Sequence, residues 1–355
     1  MDLNTIWFLL IGVLIAGYAV LDGFDLGVGA LSLFARSKEE RDLHVAAIGP
    51  VWDGNEVWLL TGGGALFAAF PVVYATVFSG FYLALMLLLV ALVARAVSME
   101  FRGLVRSPGW TRAWDVAFGL GSLLPTILFG VAVGNVLRGV PIGPAPEFPW
   151  QGSFLGLLNP YSILVGLTSC AFFLMHGAIY LRMKADGELS DRLGRIAVVA
   201  FVAFLALYAA ATAATVAISP FLFTRVGSPL FLLVAALLAA SIAAVPVLVR
   251  TGRKGLAFVA SSAAITFMVL VTAISAYPVL VPSSTALANS LTIYNASSTP
   301  RTLATMLVIA LVGVPIMLGY TIFVYRVFKG KPRVGEGYEG EEADAVAYIS
   351  RSAHG

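Results

Sequence analysis

Long apolar runs alternate with short charged segments along nearly the whole chain. Crossing the hydrocarbon layer takes about 20 mostly apolar residues, and nine runs reach that length, at 5–33, 45–70, 72–99, 113–137, 153–181, 195–218, 228–249, 256–281 and 302–328. Each run reads as a helix, because in lipid a backbone must satisfy its own hydrogen bonds. The pattern predicts an all-α polytopic membrane protein with about nine transmembrane helices. The first run follows Met1 with no basic segment and no small-residue cleavage site, so it reads as a retained helix and not as a signal peptide.

The charged segments orient these helices. Arg36, Lys38 and Arg41 follow helix one, Arg102, Arg106 and Arg112 follow helix three, and Arg182, Lys184, Arg192 and Arg195 follow helix five. Arg250, Arg253 and Lys254 follow helix seven, and Arg326, Lys329, Lys331 and Arg333 follow helix nine, whereas the opposite side carries Arg138, Arg225 and Arg301. Cytoplasmic loops hold the Lys/Arg excess, which puts the N-terminus outside and the C-terminus in the cytoplasm. Trp7 and Trp150 then fall at the outer boundary and Trp110 and Trp114 at the inner one, where indole rings prefer to sit.

Composition agrees with a membrane protein: 59% of the residues are hydrophobic, 12% are charged, and the mean hydropathy is +0.93. The net charge of +3 is loop charge with no basic stripe interleaved with aromatics, which excludes a nucleic-acid partner. The single Cys170 precludes an internal disulfide, and three histidines, His44, His176 and His354, are too few and too scattered for a His-rich metal centre or a two-His haem site. Extramembrane parts are small: outer loops near 140–152 and 282–300, and a tail from Gly335 carrying Glu336, Glu339, Glu341, Glu342 and Asp344, whose composition cannot bury a core.

Against this apolar background the polar residues inside the spans stand out, since an intramembrane carboxylate is expensive unless paired, wetted or used. Asp22 and Asp25 share a face of helix one, and Gly23, Gly27 and Gly29 let another helix come close to it. Helix two carries Trp52-Asp53-Gly54-Asn55-Glu56, in which Asp53 and Glu56 repeat the three-residue spacing and Trp52 and Asn55 form a second pair on the adjoining flank. Carboxylates gathered on neighbouring helices can share protons, and this makes them candidates for a relay; local capping or ion pairing is the other reading. Arg95 near the end of helix three is the natural partner for a buried carboxylate. Glu100 is a candidate proton entrance or a solvated interfacial charge. Asp115 reads as interfacial, His176 as a satisfied core histidine, Gly62-Gly63-Gly64 as a close-packing face, and Pro278 and Pro282 as marking the end of helix eight.

Five stretches resemble one known family: Gly23-Phe24-Asp25-Leu26-Gly27-Val28-Gly29, Trp52-Asp53-Gly54-Asn55-Glu56-Val57-Trp58, Gly63-Gly64-Ala65-Leu66-Phe67-Ala68-Ala69-Phe70-Pro71, Phe78-Ser79-Gly80-Phe81-Tyr82 and Pro282-Ser283-Ser284-Thr285. In this order they are similar to subunit II of the cytochrome bd quinol oxidases. The resemblance implies two four-helix bundles plus one peripheral helix: 1–138 as the first bundle with the acidic proton-entry region, 139–152 as an outer loop, 153–281 as the second bundle, 282–330 as an outer loop with the ninth helix, and 331–355 as an acidic cytoplasmic tail. It further implies a larger partner, subunit I, that holds two haems b and one haem d and oxidises quinol. The complex would reduce dioxygen to water with cytoplasmic protons, electrogenically and without pumping, in a bacterial or archaeal cytoplasmic membrane. By the same resemblance Asp53 starts the proton route and Glu100 is associated with it, while no haem is expected in this chain. A bound quinone is a candidate structural ligand with no residues assigned, and a small accessory membrane subunit, quinol and lipid are candidate partners. Position 56 is Gln in some members, so a charge there is not essential to the design. The 220–227 loop is shorter than in some members. A purely structural scaffold and a proton-coupled secondary transporter stay open as alternatives.

Overall fold

The computed structural model describes residues 2–105 and 107–332; Arg106, Arg333, the acidic tail and His354 lie outside the described residues. The chain forms α1 (Leu3–Leu31), α2 (Lys38–Ile48), α3 (Trp52–Ala69), α4 (Pro71–Gly80), α5 (Tyr82–Phe101), α6 (Pro108–Arg138), α7 (Pro160–Lys184), α8 (Gly187–Ile218), α9 (Pro229–Arg250), α10 (Lys254–Ala276) and α11 (Pro300–Val327), with two short strands, β1 (Val279–Val281) and β2 (Leu291–Thr292). Among the described residues eight helices are long and apolar enough to cross a membrane singly, and the count reaches nine if the bent pair α3–α4 is one span. Three spans open alike, with Asn159, Ser228 or Thr299 accepting a hydrogen bond from a first-turn N–H and proline at the following position. Proline there gives up an N–H that has no partner inside the helix anyway.

Several boundaries differ from the hydropathy reading, each at a residue that interrupts a helix. The run at 45–70 is two helices, because Gly49-Pro50 separates α2 from α3, and residues expected to be loop form the Ser37-capped helix α2. The run at 72–99 is likewise divided into α4 and α5, and at Phe70-Pro71 the chain bends by 120°. The bend takes carbonyls out of the helical ladder, and that of Ala69 accepts instead from the backbone N–H of Ser298 at 2.8 Å. α7 starts at Pro160, not near residue 153, after a 3₁₀ turn at Leu155–Leu157. α10 stops at Ala276, and β1, which follows it, pairs antiparallel with β2.

α1 is the central helix, in contact with α3, α6, α7 and α10, while α6 also packs on α7. Its glycines explain how. A Cβ built on Gly27 would lie 1.9 Å from the Phe173 carbonyl oxygen, and one on Gly177 would lie 2.5 Å from the Gly27 carbonyl carbon. Gly27→Ala is therefore expected to push α1 and α7 apart at a cost of about 1–3 kcal/mol, read as a lower midpoint for heat-induced unfolding. The expected packing role of the glycine triplet is not met among the described residues: a Cβ on Gly62 would meet only Leu14, at 3.7 Å, and one on Gly63 or Gly64 would meet nothing within 4 Å.

At one end the Pro282–Thr285 motif does more than end a helix. The Ser283 and Thr285 hydroxyls both donate to the Ile142 carbonyl, at 2.9 and 2.5 Å, the Ser284 backbone N–H donates to the Val140 carbonyl, and the Val140 N–H donates to the Pro282 carbonyl. The 139–152 loop is thus clasped over a core that includes Trp7, Phe70, Ile142, Leu291 and Ile293. α11 lies against α1 and α3, and Leu303 is its only fully buried residue.

Candidate functional site

The acids of α1 and α3 converge on one arginine of α5. Asp22, Asp25 and Arg95 are all 0% exposed. Arg95 donates through Nη1 to Asp22 Oδ1 at 2.8 Å and through Nη2 to Glu56, whose side chain keeps 24% exposure. A single guanidinium fork thereby neutralises carboxylates from two other helices, a geometry that a lysine ammonium would not reproduce. α6 braces the site from behind, since a Cβ on Gly121 would lie 2.8 Å from the Arg95 backbone nitrogen. The Trp52 ring lies 6.0 Å from the Arg95 guanidinium carbon. Beside the ion pairs runs a neutral chain: Asn55 Nδ2 donates to Asp25 Oδ2 at 2.7 Å, and the Tyr325 hydroxyl of α11 donates to Asn55 Oδ1 at 3.0 Å.

Asp53 and Glu100 are placed differently. Both are exposed, and neither takes part in an ion pair among the described residues. Asp53 precedes Glu56 by one helical turn and so lies beside it on α3. Glu100 lies five residues past Arg95, about 7.5 Å further along α5 toward the same end. Arg95 is thus in direct contact with Asp22 and Glu56, Asn55 holds Asp25, and Asp53 and Glu100 are exposed.

Beyond the spans, the same end of the molecule is tied by a second network. Arg102 donates to Asp115 at 2.5 Å and to Asp42 at 2.6 Å, Arg41 meets Asp115 at 3.1 Å, and Lys38 meets Asp42 at 2.8 Å. Arg192 of α8 reaches Glu40. Partial burial works against the Asp42 charge, but hydrogen bonds from Lys38 and Arg102 outweigh it and hold the carboxyl below its ordinary range. Burial also pushes His44 down, against the hydrogen bond to the Glu40 carbonyl. Asp115, read from sequence as interfacial, is an anchor: through it and Arg102 the α5–α6 pair holds α2, the helix that leads into the Asp53 motif.

A haem does not fit the histidine inside the bundle. Both ring nitrogens of His176 are hydrogen-bonded, Nδ1 with Ser261 at 2.7 Å and Nε2 with the Val20 carbonyl at 3.0 Å, and the ring stacks on Phe258. Among the described residues no group of three or more His, Cys, Asp or Glu could hold a metal ion. Sequence reasoning missed Tyr325 and the Arg102 network. Tyr325 is 270 positions from Asn55, so no local spacing could announce it; the Arg102 network left only the trace of acids and bases interleaved after helices one and three.

Comparison with known proteins shows the family of the chain. A family model described as cytochrome bd terminal oxidase subunit II matches residues 3–328. The chain is 37% identical to cytochrome bd-I ubiquinol oxidase subunit 2 of Escherichia coli (strain K12), over 93% of this chain and 95% of that one. It is 37% identical to cytochrome bd ubiquinol oxidase subunit 2 of Bacillus subtilis (strain 168), over 92% and 96%, and 36% identical to a probable cytochrome oxidase subunit 2 of Haemophilus influenzae, over 93% and 95%. A chain of the bd oxidase from Geobacillus thermodenitrificans shares the fold, with a TM-score of 0.74 at 19% identity, covering 92% of this chain and 99% of that one. A family match spanning nearly every described helix, joined to relatives of this identity over nearly their full length, shows that the chain belongs to the cytochrome bd terminal oxidase subunit II family.

Proposed function

We propose that this chain supports the haem-bearing subunit I of a cytochrome bd-type quinol oxidase and carries protons from the cytoplasm toward the haem d site in that partner. The observation that supports it is the exposed Asp53, one turn from Glu56, which is the partly exposed member of an otherwise buried acid–arginine cluster. The Lys/Arg-rich end of the bundle is taken as cytoplasmic, so Asp53 and Glu100 face the proton supply and Asp22 and Asp25 lie deeper. Trp52, Asn55 and Arg95 hold the acids in place, and Glu100 is a second entrance. The haems, two b and one d, belong to the partner and supply the electron and oxygen chemistry, while a bound quinone in this chain is a lipid-like guest. The membrane is the bacterial cytoplasmic membrane, crossed by bundles at 1–138 and 153–281 and by the peripheral α11. The process is electrogenic without pumping, because protons are consumed from one side.

One observation favours a second reading, a structural scaffold: Asp22 and Glu56 are already neutralised by Arg95, as in a purely structural ion pair. Turnover of an Asp53→Asn complex with full haem content separates the two. A third class, a secondary transporter, would work alone. The chain is expected to purify with a haem-bearing partner and to show haem d absorption in the visible spectrum; a haem-free chain that moves solute by itself would sink the oxidase reading.

A further inference from the structure

We infer that the Tyr325 hydroxyl is a positioning group that lets the Asn55 amide serve both protonation states of Asp25. This rests on reading Asp25 as part of the proton path. α11 is largely exposed, yet near its end Tyr325 reaches inward, its ring edge-on to Phe24 with centroids 6.5 Å apart and its hydroxyl 3.0 Å from Asn55 Oδ1. In the arrangement observed, the phenol donates to Oδ1 and Nδ2 donates to Asp25 Oδ2 at 2.7 Å, with the Leu21 carbonyl at 3.4 Å as a weaker acceptor. That arrangement suits an ionised Asp25, which can only accept.

When Asp25 takes a proton, the complementary arrangement is the reversed amide: the carboxyl O–H donates to Oδ1, and Nδ2 turns to the phenol. A hydroxyl can donate or accept, so the Asp25–Asn55–Tyr325 chain keeps its two short hydrogen bonds in both states and gives up only the weaker contact with the Leu21 carbonyl. The arriving proton ends on Asp25, and neither the Asn55 amide nor the Tyr325 phenol gains or loses one. A phenylalanine at 325 would leave one end of the amide unpaired in either state, and a buried unpaired polar group is costly. The other titratable or charged groups that act on Asp25 and Tyr325 are Asp22 on α1, Glu56 on α3, Arg95 on α5 and Tyr180 on α7. Arg95 is engaged by Asp22 and Glu56, and the Tyr180 hydroxyl donates to the Ala47 carbonyl at 3.0 Å, which among the described residues leaves Asn55, itself held by Tyr325, as the side-chain hydrogen-bond partner of Asp25.

The test uses the purified oxidase complex and infrared difference spectroscopy during turnover, with the Asp25 carboxyl band identified by its disappearance in Asp25→Asn. Tyr325→Phe is expected to shift that band and to lower kcat about 2- to 10-fold, the worth of one hydrogen bond, with quinol KM and haem d content unchanged. In an Asn55→Leu background, where no amide remains to orient, the same substitution is expected to change nothing further. An unmoved Asp25 band, an equal loss in the Asn55→Leu background, or loss of haem d in Tyr325→Phe would each overturn the inference, as would the absence of any band sensitive to Asp25→Asn. Failure of the Asp53 route would show instead as normal turnover in Asp53→Asn, a separate readout.

Discussion

Replacing Asp53 by asparagine is expected to lower quinol-driven oxygen consumption about 100-fold, the lower end of what a positioned proton donor contributes, while haem content and quinol affinity stay the same. The side chain is exposed and lies outside the Arg95 ion pairs, so the neutral isostere leaves the packing of α1, α3 and α5 intact. On the proposed route, what it removes is the group that takes a proton from water and releases it one helical turn further on, at Glu56. Asp53→Glu should restore most of the rate, since a carboxylate one methylene longer still reaches both. Oxygen electrode traces on complexes matched for haem d absorbance make the comparison. Turnover equal to the unmodified complex would favour the scaffold reading.

Arg95→Leu is the substitution with the largest expected effect on assembly. It strands Asp22 at 0% exposure and Glu56 at 24% without a cation, and loss of one partner from a buried pair costs about 3–5 kcal/mol. The complex should lose haem d absorbance at a distinctly lower temperature, or fail to assemble. Arg95→Lys should fall between, because a single ammonium cannot hold two carboxylates in a fixed fork. Combining Arg95→Leu with Asp22→Leu should recover part of the loss, since Asp22 is then no longer a fully buried carboxylate stripped of its cation, and the non-additivity measures the pair. A thermal midpoint for Arg95→Leu equal to that of the unmodified chain would mean the arginine does not hold these helices together.

The fold class was legible because its cause is local. Helices in lipid announce themselves by length and apolarity, and the nine runs fall on α1, α3, the α4–α5 segment and α6–α11. What escaped was where helices break. Hydropathy averages over Gly49-Pro50 and Phe70-Pro71, although a missing N–H and a steric clash at each proline interrupt the backbone ladder whatever the neighbours' polarity. The glycine triplet shows the opposite failure. Glycines at helical spacing signal close approach, but a Cβ on Gly63 or Gly64 would meet nothing within 4 Å among the described residues, whereas Gly27 and Gly177 do meet across α1 and α7.

The candidate site divides along the same line. By itself the sequence determined that carboxylates sit where carboxylates are costly, that Asp22 with Asp25 and Asp53 with Glu56 share helix faces, and that Arg95 is a suitable counter-ion, because residue spacing on a helix fixes which side chains are neighbours. Only the tertiary structure decided that Arg95 takes Asp22 and Glu56 and leaves Asp25 to Asn55, that Asp53 stays at the surface, and that Tyr325 of the last helix closes the group. Those choices depend on how four helices rotate and approach one another, through contacts such as Gly27 on Phe173 and Gly121 on Arg95, between residues far apart in the chain.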